Sequence, residues 1–285
     1  MKIGILTCAK LPDLNPEDQQ IIPELVKYNI EAKAVIWSDK TIIWTSFDYL
    51  IFRNTWDYFE QETEFNLWLD HIEKLEIKTL NPIQVIKKNI HKFYLRELEL
   101  KEIAILPTVF IDKTNELNLS KIIPQHWKKA VIKPAFSAGS YLTEVFDIKD
   151  IEAINTRFAS IAKDKELLLQ EFASQIQSIG ETSFIFFNKQ FSHAVNKKPL
   201  DGDFRVQSLF GGKYSLVHPN QKLILQAQKV IDTFQAELLY ARVDGIIIDE
   251  TLHLMEIECI EPDLYFKLSE NSLQRFVAEI VKLIT

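Results

Sequence analysis

Arg242, Asp244, Glu256 and Glu258 are the side chains whose types and spacing could do chemistry. They lie in two apolar, β-branched runs, residues 240–248 and 252–258, separated by turn-like Asp249-Glu250-Thr251. That pattern reads as a β-hairpin. With the three turn residues as its loop, antiparallel pairing sets Asp244 opposite Glu256 and Arg242 opposite Glu258 on one face. Carboxylates gathered this way repel one another unless a cation neutralises them. Hard oxygen ligands of this kind suit Mg²⁺, which keeps some water and phosphate oxygens around it. The solvated face of an edge hairpin fits the same spacing.

A second group could handle phosphate. Lys133 ends the strand-like run Ala130-Val-Ile-Lys-Pro134, and Ser137, Ala138, Gly139 and Ser140 follow. Small residues let backbone N–H groups approach phosphate oxygens while the lysine supplies a point charge. The stretch lacks the glycine run and helix-borne Lys-Ser of a P-loop, and an ordinary strand-to-strand turn has the same composition. A third group is Arg53-Asn-Thr-Trp-Asp-Tyr58, directly after an apolar run. Arg53 could hold a carboxylate two-pronged, and Asp57 could receive an amine, with Thr55 beside them. The alternative is a helix start capped by Asn54 or Thr55, with Arg53 paired internally. His193, in a strand, is a candidate on the substrate side, although a lone strand histidine is more often structural. Lys197 leaves the same strand.

The elements that must position these groups follow from periodicity. Residues 2–7, 32–37 and 49–52 read as strands, with a helix over 21–28 between the first two. This β-α-β order predicts a parallel sheet covered by helices. Ligands of such sheets lie off the carboxyl ends of the strands, which is where residues 53–58 fall. A helix with an apolar stripe at Phe65, Leu69 and Ile72 is expected over 59–74, and another over 85–98, containing Lys92. Strands are expected over 105–111, 130–134 and 167–170, and a hairpin over 183–195. Helices are expected over 151–162, 223–235 and 272–283.

The 285 residues suffice for two or three lobes, and 47% hydrophobic content supplies substantial cores. A net charge of −7 argues against a general nucleic-acid binder. No run is long and apolar enough to span a membrane. The opening Met-Lys-Ile-Gly-Ile-Leu-Thr looks like a first strand and not a signal peptide. Two cysteines, Cys8 and Cys259, are too few for a disulfide framework, and a cytoplasmic home is expected.

Taken in order, Lys92, Val-Ile-Lys133-Pro, Leu-Gln170-Glu-Phe172, Gly180-Glu181, Gly-Asp-Phe-Arg205, Ala-Arg242-Val-Asp244 and Met-Glu256-Ile-Glu258 resemble the ATP-grasp superfamily over nearly the whole chain. Ala-Arg-Val-Asp resembles the D-alanine–D-alanine ligases, and Gly-Asp-Phe-Arg resembles glutathione synthetase. Asn54-Thr-Trp-Asp-Tyr58, Phe191-Ser-His-Ala-Val195 and Glu258-Cys-Ile-Glu-Pro262 resemble most a free-standing group that includes the D-cycloserine-forming ATP-grasp ligase. The resemblance implies an α/β chain: an N-terminal parallel α/β domain (residues 1–85), then a two-lobed ATP-grasp domain, with a small lobe (86–172) and a large one (173–285). It implies ATP and Mg²⁺ as cofactors, small carboxylate and amine substrates, no nucleic-acid or membrane partner, and allows a homodimer. Lys92, Lys133, Ser137, Gly139 and Ser140 would hold the phosphates, Gln170, Glu171 and Phe172 would border adenine, and Glu181 would take the ribose. Asp244, Glu256 and Glu258 would carry metal, with Glu258 standing where the family usually has asparagine. Arg242, with Lys133 and Arg205, would act on the reacting groups. The implied activity is an ADP-forming carbon–nitrogen ligase working through an acyl phosphate, with a cyclising ligase, a kinase-like phosphotransferase or a non-catalytic nucleotide binder as alternatives.

Overall fold

A computed structural model describes residues 1–200 and 211–285. The N-terminal sheet is parallel, in the order β2-β1-β3-β4, built from β1 (Lys2–Thr7), β2 (Glu31–Ile36), β3 (Tyr49–Asn54) and β4 (Lys78–Leu80). Helices α1 (Ile21–Val26) and α2 (Glu62–Lys74) flank it. β1 and β3 are buried along almost their whole lengths, as strands covered on both faces must be. The expected helix over 85–98 is two helices, α3 (Ile83–Asn89) and α4 (Tyr94–Leu100). Between them His91 bridges to Phe136, and the Lys92 N–H donates to the Ala135 carbonyl. Lys92 therefore sits in a break between helices and not in one.

A second sheet, in the order β5-β8-β6-β7, is antiparallel. It comprises β5 (Thr108–Ile111), β6 (Lys129–Pro134), β7 (Glu144–Asp147) and β8 (Leu167–Glu171), with helices α5 (Leu119–Ile122), α6 (Ile151–Phe158) and α7 (Ile161–Asp164). After α8 (Gln175–Ser178) comes the largest sheet, β11-β10-β9-β12-β13, also antiparallel. Its strands are β9 (Glu181–Phe187), β10 (Gln190–Lys198), β11 (Lys213–Val217), β12 (Tyr240–Ile248) and β13 (Thr251–Glu258), with α9 (Gln221–Asp232) before β12 and α10 (Ser272–Ile284) closing the chain. Ile3, Ile5 and Ile51 of the parallel sheet share a core with Ile185 and Phe187 of the large sheet and with Phe276 and Ile280 of α10. The opposite face of the large sheet packs on Leu95 and Leu98 of α4 and on Ala227 and Val230 of α9. The second sheet has a core of its own around Trp127, Phe146 and Phe158. Among the described residues, no helix is long and apolar enough to cross a membrane.

The hairpin at the centre of the sequence reading pairs Arg242 with Glu258 and Asp244 with Glu256, but by a different route. Its loop has two residues, not three: Ile248 pairs with Thr251, and both Asp249 and Glu250 have positive φ. Such a turn matches the natural twist of paired strands. The register then shifts by one between Asp244 and Gly245, leaving Met255 as an extra residue on β13. This bulge re-aims the end of the strand that carries Glu256 and Glu258. Gly245 is required there, because a Cβ at this position would lie 2.5 Å from the His253 carbonyl oxygen.

Candidate active site

The two antiparallel sheets and the segment after β3 line a cavity of about 650 Å³. One wall is apolar: Leu106, Ile176 and Ile246 form a small core with Phe172 and Met255, and all five border the cavity. Another wall is aromatic, with Trp56, Tyr58 and Phe59 from the segment after β3 and Tyr214 and Tyr265 from the other side. Between them stand the ionisable groups. Among the described lining residues, seven carboxylates face four basic side chains, Lys92, Lys133, Lys197 and Arg242. The surplus of negative charge favours a site that takes up cations.

β12 and β13 bring the charges together because strands repeat their faces every second residue. Arg242 donates through Nε to both Asp244 oxygens (3.0 Å each) and through Nη2 to Asp244 (2.8 Å) and Glu258. The Ser183 hydroxyl donates to Asp244 (2.5 Å), and Lys197 lies 3.6 Å away. These cations and the hydroxyl hold the Asp244 carboxyl at about 2 despite its burial. Glu258 goes the other way, up to about 8: burial outweighs the pull of Arg242, with Asp244, Glu256 and Glu261 adding like charge. Lys197 also pairs with Glu181, and Glu256 with Lys92 (3.0 Å).

Three carboxylates thus share the cavity without converging. Among the described residues, no three His, Cys, Asp or Glu side chains lie close enough together to hold a metal. Asp244, Glu256 and Glu258 all border the cavity, each engaged by a protein cation. Arg242 is shared by Asp244 and Glu258, and Lys92 is held by Glu256, so protein cations offset the repulsion among the three.

The outer edge of β13 is held unusually firmly. Leu106 N–H donates to Leu254 O, and Leu254 N–H to Ala104 O, along its first half. Along the second half side chains take over. Asn89 donates to Ile257 O and accepts from Cys259 N–H (2.8 Å each), and the Tyr94 hydroxyl meets both Ile257 backbone groups at 3.0 Å. Asn81 donates to Tyr240 O and Cys259 O (2.8 and 2.7 Å). The bonds at Leu254, Ile257 and Cys259 satisfy buried backbone groups that an edge strand would leave bare, and Asn81 ties the start of β12 to the same place. These amides carried no signal that distinguishes them from surface asparagines in the sequence.

Lys133 ends β6 on the cavity wall and, among the described residues, has no carboxylate within 4.0 Å. Desolvation lowers its pKa, and neighbouring Lys92 adds to that. Lys92 also donates to the Ser137 carbonyl, tying itself to the small-residue loop. Gly139, Ser140 and Leu142 of that loop have positive φ, and Gly139 has no atom within 4 Å of where a Cβ would stand. Gln170, Glu171, Phe172 and Glu181 all border the cavity, but Glu181 is spent on Lys197 and Gln170 donates to Thr108 (3.0 Å).

Several expected substrate residues are elsewhere. Arg53 is 1% exposed; it pairs with Asp18 (3.0 Å), donates to Pro262 O (2.8 Å) and lies over the Tyr240 ring. Thr55 is buried, and Asp57 accepts from the Trp37 indole (2.6 Å). The internal pairing weighed as the alternative is therefore the one the fold adopts, because the segment tucks under the chain that follows β13. His193 is also off the cavity. Its Nε2 must donate to the Leu264 carbonyl (3.0 Å), and its Nδ1 accepts from Ser192 (2.9 Å). Burial lowers its pKa to about 4. Lys197 does border the cavity. Arg205 lies outside the described residues. The sequence reading missed Glu261, a buried cavity residue whose carboxyl burial raises to about 7.

Comparison with known proteins fits this architecture. Residues 3–81 match the family model for the D-cycloserine synthetase DcsG N-terminal domain. The cycloserine biosynthesis protein DcsG of Streptomyces lavendulae is 22% identical over 266 residues, covering 89% of each chain. The crystal structure of D-cycloserine synthetase DcsG superposes with a TM-score of 0.88 at 20% identity, covering both chains fully. D-alanine–D-alanine ligase from Bacillus anthracis, solved also in complex with ATP, gives 0.67 at 16% identity, with 100% of this chain and 98% of the other covered. The chain has the fold of the ATP-grasp ligases, in agreement with the motif order.

Proposed function

We propose that this protein is an ATP-dependent, ADP-forming ligase that joins a carboxylate to an amine on small amino-acid-like substrates. One observation carries this reading. A single cavity sets Lys133, with no carboxylate at ion-pair distance among the described residues, against the Asp244, Glu256 and Glu258 hairpin and beside an apolar wall of purine-compatible chemistry. The names of the relatives point the same way, to ligases and to cycloserine synthesis.

A carboxylate is a poor electrophile, and phosphorylation by ATP converts it to an acyl phosphate with a good leaving group. Lys133 and Lys92 supply positive charge to the triphosphate, as phosphoryl transfer requires. Phe172, Met255 and Ile246 offer apolar surface to the base. Asp244, Glu256 and Glu258 offer the hard oxygens that suit Mg²⁺, with phosphate oxygens needed to complete the shell. That ion would neutralise charge on the phosphates. Arg242, poised between Asp244 and Glu258, is placed to face the oxyanion that forms as the amine attacks. The apolar wall of Leu106, Ile176 and Ile246 would help keep water from the acyl phosphate. The domain division at residues 85 and 172 belongs to this reading.

ADP release measured across amino acids and dipeptides tests it. The expected result is ADP formation that requires both a carboxylate and an amine. ADP with a stable phosphorylated product and no amine requirement would make it a phosphotransferase. No ATP binding would remove the enzyme reading.

A further inference from the structure

Resting on that reading, we infer that Glu261, framed by Trp56 and Tyr58, is a subsite for the ammonium group of the amino-acid substrate. Four successive carbonyls, from Ile260 to Asp263, are each gripped by a different side chain. The Tyr240 hydroxyl reaches Ile260 O (2.6 Å), the Trp56 indole donates to Glu261 O (3.0 Å), Arg53 to Pro262 O (2.8 Å) and Arg242 to Asp263 O (3.1 Å). The segment 53–58 thus serves the site indirectly, by fixing the backbone that carries Glu261. A side chain on so rigid a support is preorganised for a ligand.

Glu261 is 8% exposed and borders the cavity. Among the described residues, no Lys, Arg or His lies within ion-pair distance of its carboxylate; Lys92, whose charge acts on it, pairs with Glu256 at 3.0 Å. A buried carboxylate is costly without a cation. Asp18, also buried, pairs with Arg53, and Asp244 with Arg242. Glu261 borders the cavity instead, with Tyr58 and Trp56 among the same lining residues. A ligand amine supplies the missing charge. The Trp56 and Tyr58 rings beside it suit a cation's apolar flanks and can add cation–π attraction. An anion is disfavoured by the surrounding carboxylates. The substrate's own carboxylate is then left to point toward Lys92 and Arg242.

Thermal-shift and calorimetric titrations test this without turnover. Alanine and serine of both configurations are compared with their N-acetylated forms, on the MgADP-loaded wild type and on Glu261→Gln. At least one free amino acid should bind the wild type, its N-acetyl form should not, and Glu261→Gln should bind it about 10-fold more weakly, as for one lost charged hydrogen bond. Glu261→Asp keeps the charge with shorter reach. It should bind more weakly than wild type yet still prefer the free amine, which keeps the inference testable if the Gln variant does not fold. Equal binding of N-acetyl forms, unchanged affinity in both variants, no response to any amino acid, or a Glu261-dependent response to MgCl₂ alone would each overturn it. MgATP titration of the same wild-type sample separates the two levels: MgATP binding without an amino-acid response sinks only the subsite, and no MgATP binding sinks the ligase reading.

Discussion

Arg242 and Arg53 are both buried arginines paired with an aspartate, yet they do opposite things. Arg53 lies inside the fold, with Asp18, a carbonyl and the Tyr240 ring around it. Arg242 stands on a cavity wall, shared between Asp244 and Glu258, with space for a ligand beyond. The first is a closed clamp between the N-terminal sheet and the chain after β13. The second belongs to a network in which Lys92, Lys197 and Arg242 each hold carboxylates that a bound cation could claim. The residue types are the same, so the difference lies in whether the pair opens onto the cavity, as Arg242 does and Arg53 does not.

The sharpest way to break this contrast is Arg53→Ala. It leaves Asp18 buried and unpaired, and such losses cost roughly 3–5 kcal/mol. Denaturant unfolding should show that loss, while the remaining folded protein keeps its affinity for MgATP, whose proposed contacts Arg53 does not touch. An unchanged stability with lost substrate binding would return Arg53 to the site. Glu258→Gln probes the open network instead. An amide oxygen can still meet a cation but loses the charge, so the Mg²⁺ concentration needed for half-maximal nucleotide binding should rise by about 10-fold, near 1.4 kcal/mol, with little change in melting temperature. A large stability loss would make Glu258 a structural partner of Arg242 like Asp18 is of Arg53.

His193 gives the smallest effect. Its folded pKa of about 4 lies below the ordinary value of 6.5, so the unfolded chain takes up the proton first as pH falls. The stability its neutral form contributes is present above about pH 6.5 and is lost toward pH 4, amounting to less than ~1 kcal/mol at about pH 6. His193→Asn should flatten that part of the pH–stability curve. A curve of unchanged slope would mean that other groups set it.

The hairpin was legible because strand pairing is periodic: once Asp244 and Glu256 are paired, Arg242 and Glu258 follow. Even so, a two-residue turn and a bulge at Met255 replaced the simple three-residue loop, and the two errors cancel in register. Short apolar runs likewise revealed the parallel β1, β2 and β3 and the β9–β10 hairpin. The segment 53–58 was placed correctly after β3 but its side chains were aimed wrongly. Loop direction depends on what packs above it, here Pro262 and Tyr240, more than two hundred and nearly two hundred positions away in sequence. Glu261 stood in the Glu258-Cys-Ile-Glu-Pro262 motif without a role, and Asn81 and Asn89 had none, because their roles are created by contacts between distant segments.

The central claim is that Lys133 and the hairpin face a nucleotide across one cavity. Calorimetric titration of MgATP into the wild type and Lys133→Ala, with circular dichroism to confirm the fold, addresses it directly. The wild type should bind only when Mg²⁺ accompanies the nucleotide, and Lys133→Ala should lose at least about 10-fold in affinity, the worth of one charged hydrogen bond to phosphate, with its spectrum intact. Wild-type affinity in the variant, or binding indifferent to Mg²⁺, would contradict the placement of ATP in this cavity.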